Sequence, residues 1–63
     1  MKSHLEWCEY FQDMGRYYTE NDMPEKLKAF RKRFENKPAF AHRMKWIDKG
    51  VTEGKNNIVL GLT

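Results

Sequence analysis

The 63-residue chain holds one cysteine, two prolines and four glycines, and each scarcity excludes something. A lone Cys8 cannot close an intrachain disulfide, and a secreted domain this small usually needs several. A reduced, cytoplasmic setting is therefore expected. No apolar run is long enough to span a membrane. Charge and polarity begin at Lys2, Ser3 and His4, which is not the pattern of a secretory signal. The glycines stand apart at 15, 50, 54 and 61, so no glycine-rich phosphate loop is present. The initiating Met1 and a full set of helix signals suggest one independent small domain, residues 1–63.

Charge is not scarce, but it is uneven. Twelve Lys and Arg against nine Asp and Glu give a net +3. Residues 1–22 carry a balance of −3, residues 23–37 one of +4, and residues 38–63 one of +2. An acidic first segment lying beside a basic second one accounts for this pattern. So does an anion-binding surface centred on the second segment.

What the chain has in quantity is large apolar side chains at helical spacing. Trp7, Phe11, Met14 and Tyr18 form one set, Met23, Leu27, Phe30 and Phe34 a second, and Phe40, Met44, Ile47 and Val51 a third. Steps of three and four keep each set on a single helical face. The expected fold is all-α, a small three-helix bundle with helices at about 4–19, 23–35 and 38–50.

Local signals agree with those limits. Ser3 and Glu6 have capping-box spacing at the first start. Gly15 lies just off one flank of the first stripe, where a missing side chain lets another helix come close. Asp22 is placed to cap helix two, with Pro24 in its first turn and Glu25 at the capping-box position. Asn36-Lys37-Pro38 makes the second break, and Gly50 is a natural C-terminal stop. Val51 continues the third stripe, so a helix running on towards Gly54 is the alternative. Residues 51–63 are then read as a loop and a short, β-prone apolar tail, Ile58-Val59-Leu60-Gly61-Leu62. A lone strand must fold back as a plug, pair with another chain or stay disordered. Pairing through this tail would make a homodimer, and a partner or a second copy would add stability to a marginal core.

Few residues point to chemistry. His4 and Cys8 are four apart and share a helix face, a spacing that suits a metal ion or an imidazole–thiol pair. A structural zinc site wants four ligands, however, and His42 is the only further strong candidate. A nucleophilic Cys also needs an orienting group and an oxyanion site, and nothing marks either. Glu6, Glu9 and Asp13 lie on one exposed side without the dense oxygen-ligand loop of a calcium site. A buried thiol beside a surface histidine is the expectation, and no catalytic, cofactor-binding or metal-binding residue is assigned.

The basic cluster is more suggestive. Lys28, Arg31 and Lys32 share one flank of the second stripe, and Lys26 and Arg33 share the other. A dedicated DNA-reading helix concentrates basic and amide side chains on one outward face, which this one does not. Trp46 lies off the third stripe, where it can cap the core or anchor a partner. The expected function is a small, non-enzymatic interaction protein that binds a protein partner and modulates it. Its contact surface would comprise Lys28, Arg31, Lys32, Arg43, Lys45 and Trp46. The alternative is an accessory nucleic-acid-binding protein using the basic second helix, with Arg43 and Trp46 able to meet a base. A metal protein or enzyme built on His4, Cys8 and His42 is the third reading.

Phe30, in the middle of the middle stripe, should be among the most buried residues. Phe30→Ala should lower the unfolding free energy by about 3–5 kcal/mol. Near-wild-type stability in thermal denaturation would contradict the three-helix assignment.

Overall fold

The computed structural model describes residues 2–62 and forms a three-helix bundle, with no strand among the described residues. Helix α1 spans His4–Glu20, α2 Pro24–Glu35 and α4 Met44–Leu62, with a one-turn α3 at Pro38–Ala41. Met1 and Thr63 lie outside the described residues.

The start of α1 is capped as expected. Glu6 N–H donates to Ser3 Oγ at 3.2 Å, satisfying one of the amides that a helix start leaves unpaired. Its end is closed differently from the expected cap on the next helix. Asp22 has φ of 52°. Met23 N–H reaches Tyr18 O at 2.8 Å and Asp22 N–H reaches Thr19 O at 3.2 Å. This is the Schellman pattern, with Asp22 in the left-handed position that usually takes glycine. Asp22 therefore ends α1 and does not cap α2, whose N-cap is Met23 with no side-chain hydrogen bond.

The core is a network of rings. Phe11 and Ile47 are fully buried, and Phe30 and Phe34 are each only 6% exposed. Ring centroids of Phe11 lie 5.7 Å from Phe30, 5.0 Å from Phe34 and 5.8 Å from Phe40. Edge-to-face and tilted arrangements of this kind add about 0.5–1.5 kcal/mol per pair beyond area burial. Phe30 also meets Tyr18 near the end of α1, and Phe34 meets Trp7 near its start, so α2 runs antiparallel to α1.

The third expected helix is corrected at both ends. It breaks at His42 and Arg43, between α3 and α4. Arg43 lies level with His4 at the beginning of α1, so a straight helix continued back to Pro38 would project past α1. The break instead folds α3 onto α2. Phe40 then packs 4.9 Å from Trp7 and 5.1 Å from Phe34, measured between ring centroids.

At the other end, Gly50 is not a stop, and residues 51–62 are not a loop and tail. Helix α4 runs through Gly50, Gly54 and Gly61 to Leu62. The apolar end does not plug the core: Ile58, Val59 and Leu60 are exposed. Two of the glycines are explained by α1. A Cβ on Gly50 would sit 2.0 Å from the carbonyl oxygen of Gln12. A Cβ on Gly54 would sit 2.8 Å from Thr19 Cβ. Gly15 of α1 answers from the other side, where a Cβ would be 2.5 Å from Ile47 O. Residue numbers rise together along this contact, from Gln12 with Gly50 to Glu20 with Asn57, so α1 and α4 are parallel. Side chains seal its edge. Gln12 hydrogen-bonds Glu53, Asn57 donates to Glu20 at 2.9 Å, and Arg16 lies 3.9 Å from Glu53.

Gly61 has nothing within 4 Å of where a Cβ would be. The two positions therefore predict opposite signs. Gly50→Ala forces the helix backbones apart and should destabilise by about 1–3 kcal/mol. Gly61→Ala should stabilise the helix by up to ~1 kcal/mol. Urea denaturation followed by circular dichroism reads both, and equal stabilities would refute the close α1–α4 contact.

Candidate functional site

The surface expected from sequence is not assembled as one face. Arg31 is engaged with Asp48 of α4. Arg43 turns to α1, where its Nε donates to His4 Nδ1 at 3.0 Å. Lys45 and Trp46 line a shallow depression with Lys49, whose Nζ lies 4.8 Å over the indole. Asp48 and Trp46 are two residues apart and so lie roughly 160° apart around α4 at 3.6 residues per turn. The Arg31 side and the Trp46 side of α4 therefore look in different directions. Lys28 and Lys32 are exposed on α2.

The structure does gather His4, Cys8 and His42. Cys8 Sγ is 3.6 Å from His4 Nε2, and the His42 ring stacks on His4 at 5.4 Å with an interplanar angle of 14°. Both nitrogens of His4 are engaged. Because Arg43 donates to Nδ1, the neutral ring carries its proton on Nε2 and offers it to the sulfur. In that tautomer His4 cannot accept a proton from the thiol. Cys8 itself is only 2% exposed. Among the described residues, no three of His, Cys, Asp or Glu are placed to share a metal ion.

A different arrangement stands out between α1 and α2. Two adjoining depressions, of about 250 and 300 Å³, meet at Arg33. The first is lined by Tyr18, Lys26, Ala29, Phe30 and Arg33. The second is lined by Lys2, Trp7, Tyr10, Arg33, Phe34, Lys37 and Phe40. Four cations border the pair, aromatic rings form much of the floor, and no carboxylate lines either one. Lys2 Nζ lies 5.4 Å from the centroid of Trp7 and 5.5 Å from that of Tyr10. Arg33 and Lys37 lie over Phe34 at 5.5 and 5.7 Å.

None of these four cations forms an ion pair with a described carboxylate, although Lys26 also borders a neighbouring depression with Asp22 and Glu25. Among the described residues, the salt bridges involve only Arg16 and Arg31. Arg16 gathers Asp13, Glu20 and Glu53 around itself at 3.3–3.9 Å, beside the α1–α4 contact. Three carboxylates are thus gathered at Arg16, while Lys2, Lys26, Arg33 and Lys37 make no ion pair among the described residues. The pairing of Lys26 with Arg33 on one flank of α2 is visible in the sequence. That this flank faces the aromatic edge of α1, with Lys2 and Lys37 closing the end, is not.

No helix among the described residues is long and apolar enough to cross a membrane. The chain matches no family model, and no curated protein or solved structure is significantly similar to it.

The His4–Cys8 geometry predicts an inert thiol. Reaction of native Cys8 with a disulfide reagent should be on the order of 100-fold slower than in the urea-unfolded chain, since it requires opening of the α1–α4 contact. His4→Ala should not slow the native reaction further. A fast native reaction that depends on His4 would instead reveal an activated thiolate.

Proposed function

We propose that this chain is a small, non-enzymatic interaction module that docks on an anionic macromolecule through the groove between α1 and α2. The observation that carries this reading is the concentration of four unpaired cations around an aromatic-lined concavity with no carboxylate in its lining. Unpaired like charges repel one another, so their convergence is relieved when an anionic partner lies among them. The rings beneath supply apolar contact at little entropic cost, since each turns about only two side-chain torsions. Steering by the cations speeds encounter and weakens with salt.

Two charge-matched variants test the location. K26Q/R33Q/K37Q removes three groove cations, and K28Q/K32Q/K45Q removes three exposed cations outside the groove. Both lower the net charge equally, and both should fold, because such surface changes move stability by about ±0.5 kcal/mol each. On a heparin column the groove variant should elute at clearly lower salt than wild type, and the second variant should elute close to it. Identical elution of the two variants would mean that net charge alone governs retention and would remove the groove from the proposal.

A further inference from the structure

The groove combines two features that answer two different parts of one ligand. Lys26 and Arg33 are seven residues apart on α2, two helical turns along a single edge. Lys37 and Lys2 close the same edge at the far end. Together they form a cationic line. Its helical part, from Lys26 to Arg33, is about 10 Å long at 1.5 Å per residue, and Lys37 and Lys2 extend it beyond the end of α2. Beneath it, Trp7, Tyr10 and Tyr18 are half-buried, with one part of each ring in the core and another towards the groove. Lys2 lies over Trp7 and Tyr10, on a flexible side chain that a flat ligand can displace.

We infer that the anionic partner is a single-stranded nucleic acid, its phosphates following the cationic line and its bases meeting the exposed parts of Trp7, Tyr10 and Tyr18. This inference rests on the groove being the contact face. A duplex satisfies only half of the arrangement, because its bases are already stacked on one another and cannot reach rings on the floor of a concavity. An acidic peptide would pair with the cations, but its carboxylates are strongly hydrated anions that do not stack on the negative faces of the rings. A single strand uses both, with phosphate contacts giving a steep salt dependence and base–ring contacts tolerating any sequence. Of the carboxylates gathered about Arg16, Glu53 belongs to α4 and Glu20 accepts from Asn57 of α4, so both are engaged at the α1–α4 contact.

The test uses the full chain and its Trp46→Phe variant, in which Trp7 is the sole indole. Trp46 lies outside the groove, so both proteins should bind alike. The probes are labelled oligodeoxythymidylate of about ten nucleotides, an abasic deoxyribose-phosphate strand of the same length, a duplex, and polyglutamate of matched charge. Affinity is read by anisotropy, and base contact by quenching of Trp7 fluorescence. Oligodeoxythymidylate should bind at least tenfold more tightly than the abasic strand and should alone quench Trp7. K26Q/R33Q/K37Q should weaken that binding at least tenfold and flatten its salt dependence. Equal affinity for the thymidylate and abasic strands would overturn the single-strand inference while leaving an anion-binding groove. Tighter binding of polyglutamate would overturn it in favour of an acidic protein segment, and tighter binding of duplex in favour of double-stranded DNA. Loss of binding in Trp46→Phe would move the contact to α4 and overturn the groove itself, as would failure of every probe to bind.

Discussion

The parallel contact of α1 with α4 is the constraint on which the rest of the molecule depends. Three glycines, one on α1 and two on α4, let the backbones approach until a single Cβ would collide with a carbonyl oxygen or a neighbouring side chain. An interior helical glycine costs about 0.8–1 kcal/mol relative to alanine. A helix carrying three would be poor in isolation, and α4 owes its continuity past Gly50 to the surface it lies on. The close approach also explains which side chains are sealed from water: Cys8, Phe11 and Ile47 lie along or beside it. Gln12, Arg16, Glu53, Glu20 and Asn57 then close its edge with polar contacts.

The second consequence concerns α2. Helix α1 packs far more extensively on α4 than on α2. Helix α2 is held by rings, chiefly Phe30 and Phe34 against Phe11, Trp7 and Tyr18. Aromatic side chains are long enough to keep helices apart while remaining in contact. The result is a tight helix pair on one side and an open, ring-floored groove on the other. Three carboxylates are grouped about Arg16 by the tight pair, and four bases that make no ion pair among the described residues border the groove. The site is thus a by-product of where the glycines are: closeness at one interface leaves width at the other.

The residues with the most reactive side chains have a structural role here. Arg43, at the break before α4, hydrogen-bonds His4, which in turn faces Cys8 and stacks on His42. This cluster ties the start of α1 to the α3–α4 junction. Breaking the chain there is what brings Phe40 back over Trp7, at the end of the groove that holds Lys2 and Lys37. The sulfur contributes as a small buried group beside the seam, where a bulkier side chain would push the helices apart.

Much of this fold was legible in the chain. The stripes at steps of three and four gave the buried faces of α1, of α2 and, from Met44 on, of α4, Ser3 and Pro24 gave two starts, and Gly15 pointed to a close helix approach. The C-terminal helix was not legible, because Gly50, Gly54 and a β-prone Ile58-Val59-Leu60 oppose helix on local grounds and only packing against α1 reverses them. The candidate site was half legible. Sequence supplied the excess of bases on α2 and split them into two flanks, but gave no means of choosing between those flanks. Tertiary structure chose: one flank meets α4, where Asp48 engages Arg31, and the other borders the aromatic edge of α1 with no ion pair among the described residues. Periodicity determines which arc of a helix is buried. Which neighbour covers each edge of that arc depends on how the helices wind about one another, and a periodicity of 3.6 residues carries no information about that handedness.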